Sequence, residues 1–286
     1  MKAEKKRIGT KARISAIKER ERRLATAIFL ALLLLITVIS VYFTYTFLNQ
    51  PKNQTTNPTS SQLKAAIVDQ LSLTFPNQTF IQTATNTLKQ ANYTVDYYPG
   101  EKATVEFYKN LPTYSYDVIL LRVHSAGSSL SGAVESQLFT SEVYSTRKYV
   151  LEQLEDQVGM VTYSAFSKPA YFGICPKFVQ QSMKDKFSGT IIIMMGCEGL
   201  AGTQMARAFI EKGAKVYIGW NGSVLASHTD QATACLLQHL ITQKETVKQA
   251  VNNAMKEIGP DPSNKSVLNY YPLEAGEQKI ENFGKS

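Results

Sequence analysis

From about residue 63 onward, short apolar runs alternate with amphipathic stretches. Apolar runs bounded by Gly or polar residues are typical of buried strands, whereas apolar positions three and four apart indicate helices. This alternation predicts an α/β domain with a mostly parallel sheet of about six strands covered by helices. The predicted strands are 65–71, 94–98, 117–124, 190–199, 215–220 and 267–271, and the predicted helices are 80–91, 101–110, 149–157, 176–183, 202–212, 227–243 and 245–258.

Two stretches of this domain follow no clear period. Residues 137–142 are compatible with a short strand or a hairpin. Residues 160–174 mix β-forming residues with Lys168 and Pro169, as in a hairpin or an insertion that lines a site.

The longest apolar stretch of the chain lies near the N-terminus. Residues 24–50 contain no charge, and their core of about 24 residues is long enough, at about 1.5 Å per residue, to cross a hydrocarbon layer of about 30 Å. Its length predicts an uncleaved signal anchor in the lipid bilayer rather than a cleaved signal peptide. Residues 1–23 hold ten Lys or Arg and three Glu, which predicts a cytoplasmic N-terminus with the rest of the chain outside the cell.

Charge is concentrated in this N-terminal segment. Of the formal net charge of +8, residues 1–23 carry +7, so no basic face remains elsewhere for nucleic acid. The predicted organisation is a cytoplasmic tail (1–23), a transmembrane anchor (24–48), a polar stalk (49–62), an ectodomain (63–272) and a C-terminal tail (273–286). Five Asn-x-Ser/Thr acceptors suit an external glycoprotein, at Asn53, Asn77, Asn92, Asn221 and Asn264.

Two of the predicted strands end on residues that can perform chemistry. The stretch 190–199, TIIIMMGCEG, brings Cys197 to the end of an apolar run, and 117–127, DVILLRVHSAG, does the same for His124. Parallel strands deliver such residues to the edge of the sheet where ligands bind. A nucleophilic Cys needs a neighbouring base or imidazolium, which His124 would supply. The alternative is a buried structural cysteine.

These stretches carry a resemblance to a known family. Residues 191–234 read as strand, Cys-Glu, small-residue turn, helix, Gly-Ala, strand, Trp and an Asp-containing helix start. Together with the strand that ends in His124, this resembles the caspase-like (clan CD) cysteine peptidases, in particular their CHAT and gingipain-like branch. The resemblance implies a caspase-like three-layer αβα sandwich preceded by one transmembrane helix. The family usually has Gly directly after the His, where this chain has Ser125.

The resemblance also implies a function. His124 and Cys197 would be the catalytic dyad, and the backbone N–H groups of Ser125 and Cys197 would hold the oxyanion. The chain would then be a membrane-anchored extracytoplasmic cysteine endopeptidase acting on a peptide or protein substrate. The alternative is a catalytically silent caspase-like ectodomain that acts as a binding or receptor module.

In the caspase-like fold, the loop after the strand that follows the Cys strand helps to wall the substrate pocket. Here that loop is 220–230, which puts Trp220, Asn221 and Asp230 in the pocket, with Asp69 as a competing acid. A pocket carboxylate would favour Arg or Lys in the substrate. The alternatives are that Asp230 caps the following helix and that Trp220 packs in the core.

The remaining candidates have plainer interpretations. His228 is expected to be exposed or capping, His239 half-buried and inert, and Glu198 an anchor for its loop. A disulfide between Cys175 and Cys235 would leave Cys197 as the free thiol. The sequence shows no metal-ligand cluster, phosphate loop or dinucleotide fingerprint, so neither a metal nor a cofactor is predicted.

Overall fold

The structure is a computed structural model that describes residues 20, 22–24, 26, 28–30, 32–45, 62–128, 135–164 and 168–280. The chain divides into two units, 1–59 and 60–286. The first unit contains helix α1 (Arg22–Tyr45), whose mean hydropathy of 2.8 makes it apolar enough, and whose 24 residues make it long enough, to span a membrane. Most of the predicted cytoplasmic tail and of the predicted stalk, with Asn53, lies outside the described residues.

The second unit contains ten described strands. They are β1 (Lys64–Asp69), β2 (Thr94–Pro99), β3 (Val118–Arg122), β4 (Ser125–Ser128), β5 (Glu135–Val143), β6 (Val158–Val161), β7 (Tyr171–Ile174), β8 (Ile191–Met194), β9 (Val216–Trp220) and β10 (Leu268–Tyr271). Six form one sheet in the order β10-β9-β8-β3-β1-β2. Its neighbouring strands run parallel except β9 and β10. The predicted mostly parallel sheet of about six strands is confirmed.

The helices of this unit are α2 (Gln78–Gln90), α3 (Val105–Asn110), α4 (Val150–Leu154), α5 (Pro176–Gln181), α6 (Gln204–Glu211), α7 (Ala226–Leu237) and α8 (Val247–Ile258). A π-helical segment, Gln238–Thr242, continues α7. Helix α8 shows how the sequence sets a helix start, because it begins at a capping box formed by Thr246 and Gln249.

The four central strands of the six-stranded sheet, β9, β8, β3 and β1, are buried on both faces. Along β3, Val118 and Leu120 contribute to one core, whereas Ile119 and Leu121 contribute to the other. Residues of α2, α7 and α8 pack in the first core, and residues of α3, α5 and α6 pack in the second. Helices therefore cover both faces, which is why the central strands of this sheet are largely continuous apolar runs.

A second sheet was not predicted as such. Its order is β4-β5-β7-β6, and its pairs are antiparallel. The sequence indicated only a short strand or hairpin at 137–142 and a hairpin or insertion at 160–174. Three of the four strands have only four residues and β5 is largely polar, so the periodic signal is weak. This sheet starts at Ser125, directly after His124, so it holds the outgoing chain beside the end of β3.

The pairing of β3 with β8 places the ends of both strands together. The register runs from Val118 beside Ile191 to Leu121 beside Met194. Beyond it, Gly196 lies so close to β3 that a Cβ there would overlap the carbonyl oxygen of Val123. Only glycine fits this close approach of two backbones.

Candidate functional site

His124 and Cys197 lie at matching positions on neighbouring parallel strands. His124 follows Leu121 by three residues, Cys197 follows Met194 by three residues, and Leu121 and Met194 are register partners. The predicted placement at one sheet edge, after neighbouring parallel strands, agrees with this register. The strands themselves are shorter than predicted, since β3 ends at Arg122 and β8 at Met194, so both residues lie just past the strand ends. Both side chains line the same cavity of about 590 Å³.

The cavity lies beyond the carboxyl ends of β1, β3 and β8, where open α/β sheets bind ligands. Its described lining combines three chain segments with the start of α7: Leu71, Thr74, Phe75, Pro76, Asn77, Arg122, Val123, His124, Met195, Gly196, Cys197, Val224, Leu225, Ala226, Ser227, Thr229 and Asp230. Among the predicted pocket residues this lining includes Asp230. Within the described part of the chain, Asp69, Trp220 and Asn221 are not in the lining.

His124 is held from two directions by polar groups that the sequence analysis did not identify. Its Nε2 lies 2.8 Å from Thr74 Oγ1. Its backbone N–H donates to Gln70 Oε1 at 3.0 Å, and the amide of Gln70 donates to the hydroxyl of Tyr163 at 2.9 Å. The segment after β1 therefore positions the histidine at the end of β3.

The imidazole of His124 is neutral near physiological pH. Aromatic rings surround it, with centroids 4.8 Å away for Tyr163, 5.6 Å for Phe139 and 5.8 Å for Phe75. Burial, and secondarily the positive charge of Arg122, lower the pKa of His124 to about 4. The imidazole is therefore unprotonated at neutral pH, and its lowered pKa makes it a weaker base than an ordinary histidine.

The thiol of Cys197 is also neutral in this state. Its Sγ donates to the carbonyl oxygen of Val224 at 3.5 Å and accepts from the Val224 N–H at 3.4 Å. Burial, assisted by the charges of Glu198 and Asp261, raises the pKa of Cys197 above its ordinary value. The site thus holds a neutral thiol and a neutral imidazole rather than a preformed thiolate–imidazolium pair.

Ser125 has a role that glycine could not fill. Its hydroxyl donates to the backbone carbonyl of Cys197, which joins the chain after β3 to the chain after β8. Glu198, which follows Cys197 in the chain, has φ 57°, in the left-handed region that costs energy for residues other than glycine. Its carboxylate accepts from Ser223 at 3.4 Å and its N–H donates to Gly222, in keeping with the predicted loop anchor.

The carboxylates predicted as pocket acids are bound to a buried arginine. Arg122 is 0% exposed, and its Nε and Nη2 donate to the two oxygens of Asp230 at 2.7 and 2.8 Å. Its Nη1 donates to Asp69 at 2.6 Å. Asn77 also donates to Asp230, at 2.8 Å. The carboxylate of Asp230 lines the cavity with both of its oxygens already engaged.

The helix-cap alternative for Asp230 is wrong, because Leu225 occupies the N-cap of α7 and Asp230 lies inside the helix. The pocket-wall role predicted for Trp220 is wrong too. Trp220 is fully buried in the core, and its indole N–H donates to Thr229 at 2.9 Å. Asn221 is exposed and accepts from the backbone N–H of Val267, just before β10.

The other histidines and cysteines differ from expectation. His228 is buried rather than exposed, with its Nε2 3.1 Å from the carbonyl oxygen of Gly259. The disulfide between Cys175 and Cys235 is not formed, since both residues carry thiols. Cys235 instead lies beside His239, which is buried and contacts two glutamates.

Arg122 is the functional residue that the sequence analysis missed. A signal was present, because an arginine inside the apolar run DVILLRV has to find a partner if the strand is buried.

Comparisons of the chain with protein-family models and with curated proteins found no match. Inference about function therefore rests on the geometry of the site.

The first prediction concerns the ion network. Arg122→Ala leaves two buried carboxylates without their cation, so we expect the free energy of unfolding to fall by about 3 to 5 kcal/mol. Denaturant titration of the full chain in detergent measures this loss. Lys148→Ala is the matched control, because it removes an exposed ammonium that pairs at 3.7 Å with the half-buried Glu142, and it should cost under about 1 kcal/mol. Equal losses for the two variants would contradict the assignment.

The second prediction concerns pH. The pKa of His124 is lowered from 6.5 to about 4 in the folded protein. Between these pH values the unfolded chain therefore binds a proton on His124 that the folded protein does not bind. Stability should therefore fall as the pH drops from about 6.5 towards 4, by up to about 1.4 kcal/mol per pH unit. Denaturant midpoints at pH 7 and pH 5 measure the fall. His124→Gln should reduce the difference; an unchanged difference would rule out His124 as its source.

Proposed function

We propose that the chain is a membrane-anchored extracytoplasmic cysteine endopeptidase of the caspase-like kind, with His124 and Cys197 as its dyad. One observation carries the proposal. The register of β3 on β8 puts the two residues at matching positions past the ends of adjacent strands, and both line one cavity. A nucleophile, a base and a space for substrate thus occur together at the sheet edge.

Further observations support the caspase-like interpretation. The sheet is mostly parallel, and helices cover both of its faces, as the resemblance implies. The strained backbone of Glu198 directly follows the proposed nucleophile. Strain of this kind is found preferentially at active sites, where the surrounding structure has to maintain it.

The neutral resting state of the dyad defines the proposed first step. As Cys197 Sγ attacks the peptide carbonyl carbon, the thiol proton passes to a ring nitrogen of His124, and the C=O electron pair moves onto oxygen. Backbone N–H groups, with those of Ser125 and Cys197 as candidates, would stabilise that oxyanion.

The acyl-enzyme then forms and is hydrolysed. The imidazolium gives its proton to the leaving amine as the C–N bond breaks. Water attacks the resulting thioester and loses a proton to His124, which returns it to the sulfur as the acid leaves. No cofactor takes part in these steps.

The cavity favours an uncharged substrate side chain. Arg122 and Asp230, the lining residues of opposite formal charge, are paired with each other. The rest of the described lining is largely apolar, with Leu71, Phe75 and Val224 among it. A substrate Arg or Lys would have to displace Arg122 from two buried carboxylates, so we no longer expect a preference for basic residues.

The second candidate function is a catalytically silent binding or receptor module. It is favoured by the engagement of both dyad residues: Thr74 contacts the imidazole, and the backbone of Val224 contacts the thiol. A burial-raised thiol pKa also lowers the thiolate fraction of Cys197. The two functions differ in whether His124 activates Cys197.

The third prediction tests that activation. A peptidyl electrophile directed at thiols should label Cys197 in the wild-type chain, and Cys197→Ala should abolish the labelling. His124→Ala should slow labelling by about 10²- to 10⁴-fold, the range of general base catalysis. Mass spectrometry of the labelled peptide measures rate and site.

Cys175→Ser is the control, because it removes a thiol that does not line the cavity and should leave the rate unchanged. A wild-type rate no faster than that of His124→Ala would favour the silent module. Labelling that persists in Cys197→Ala would assign reactivity to another thiol.

We also propose that α1 is a signal anchor, with residues 1–23 in the cytoplasm and the domain from residue 63 outside. The support is the length of α1 and the charge of +7 that precedes the apolar run.

The fourth prediction is that protease added to intact cells cleaves the stalk and releases the domain, while an epitope before residue 20 stays protected. Permeabilised cells are the control, since the epitope should then be lost. Protection of the domain together with loss of the epitope in intact cells would mean that the orientation is inverted.

A further inference from the structure

A second cluster of chemically capable side chains lies where α7 and its π-helical continuation meet α8. Cys235 and His239 are four residues apart on this helical segment, so they share a face, and Glu257 faces them from α8. One potential ligand atom from each of the three residues lies within 4.8 Å of the others. The sequence analysis had found no metal-ligand cluster, because Glu257 is distant along the chain from the Cys-x-x-x-His pair.

The histidine of this cluster is buried and oriented. His239 is 6% exposed, and its Nε2 lies 2.9 Å from Glu257 Oε1. Its Nδ1 lies 3.1 Å from Glu245 Oε2, yet the two atoms are not aligned for a hydrogen bond. The carboxylate of Glu245 is itself held by Asn253 Nδ2, at 3.1 and 3.0 Å.

This arrangement resembles the two shells of a metal site. Metal-ligating histidines commonly donate their second ring nitrogen to a carboxylate, which fixes the ring and raises its basicity. Here Glu245 is within reach of Nδ1, while Nε2 lies beside the carboxylate of Glu257.

The local backbone is irregular at the same place. The segment Gln238–Thr242 is π-helical, and the N–H of Gln243 donates to the carbonyl oxygen of Gln238 at 3.0 Å. Single π turns within α-helices occur frequently at functional sites. His239 lies in this widened turn.

We propose that Cys235, His239 and Glu257 bind a divalent transition-metal ion of the Zn²⁺ class, with Glu245 as the outer-shell partner of His239. Thiolate, imidazole and carboxylate together suit Zn²⁺ in tetrahedral coordination. Glu257 is 57% exposed at its side chain, so water can take the fourth position. Binding releases the thiol proton of Cys235 to solvent, and no electron transfer is involved.

The role of this ion is structural. Among the described residues, none of the three ligands lines the cavity that contains Cys197. The ion would instead join α7 to α8, and α7 carries Asp230, the partner of Arg122. Metal binding would thus stabilise the helix that closes one side of the cavity, whatever reaction takes place there.

A simpler occupant of the cluster is a proton. A protonated His239 between Glu245 and Glu257 would satisfy both carboxylates without any metal. The two possibilities differ in the role of Cys235, because only a metal engages its sulfur as thiolate.

The test is a titration of the metal-free full chain in detergent with Co²⁺. Binding through Cys235 should produce a thiolate-to-cobalt charge-transfer band, which Zn²⁺ should abolish by displacement. Zn²⁺ should also raise the melting temperature, because it binds the folded state in preference to the unfolded one.

The variants separate this site from the cavity. Cys235→Ser should abolish the charge-transfer band, whereas Cys175→Ser and Cys197→Ser should retain it. Glu245→Gln should weaken binding by about 10- to 100-fold and leave the band in place. Absence of the band in the wild-type chain, or its survival in Cys235→Ser, would overturn the proposal and leave the proton as occupant. Neither result depends on whether Cys197 is a nucleophile.

Discussion

The register of β3 on β8 is the constraint around which this domain is arranged. Both strands are buried on both faces, so a slip of one residue would turn their apolar side chains out of the cores they fill. The same register fixes where each strand ends, and Gly196 lets the two ends approach closely. The shared position of His124 and Cys197 is therefore a consequence of core packing, independent of any attraction between the two side chains.

The buried guanidinium of Arg122 is the main charge at the carboxyl edge of the six-stranded sheet. The guanidinium of Arg122 joins the ends of β1 and β3 to α7 through Asp69 and Asp230. It also helps to keep His124 neutral, although burial has the larger effect on the pKa of that residue. The residue that joins these three elements therefore also affects the pKa of His124, the proposed base.

Sequence patterns predicted what depends on hydrophobic burial. The strands of the main sheet and the positions of His124 and Cys197 followed from apolar runs that stop at Gly or polar residues. Contacts between polar side chains distant in sequence were beyond such patterns. Nothing local indicated that Arg122 would reach Asp230, that Thr74 would meet His124, or that Glu257 would face the Cys-x-x-x-His pair. The second sheet was not predicted as such because three of its four strands have only four residues and the fourth, β5, is largely polar.

The buried arginine also constrains how this sequence can diverge. Asp69, Arg122 and Asp230 lie far apart along the chain. In the fold, the buried arginine forms an ion pair with each of the two aspartates. Loss of any one of these residues leaves its partners charged and unpaired in a low-dielectric interior. Concerted replacement of all three by apolar residues of similar volume is often tolerated in proteins. Divergent relatives of this chain should accordingly keep all three residues or exchange them together, so that covariation across these positions would be the evolutionary signature of the buried ion network.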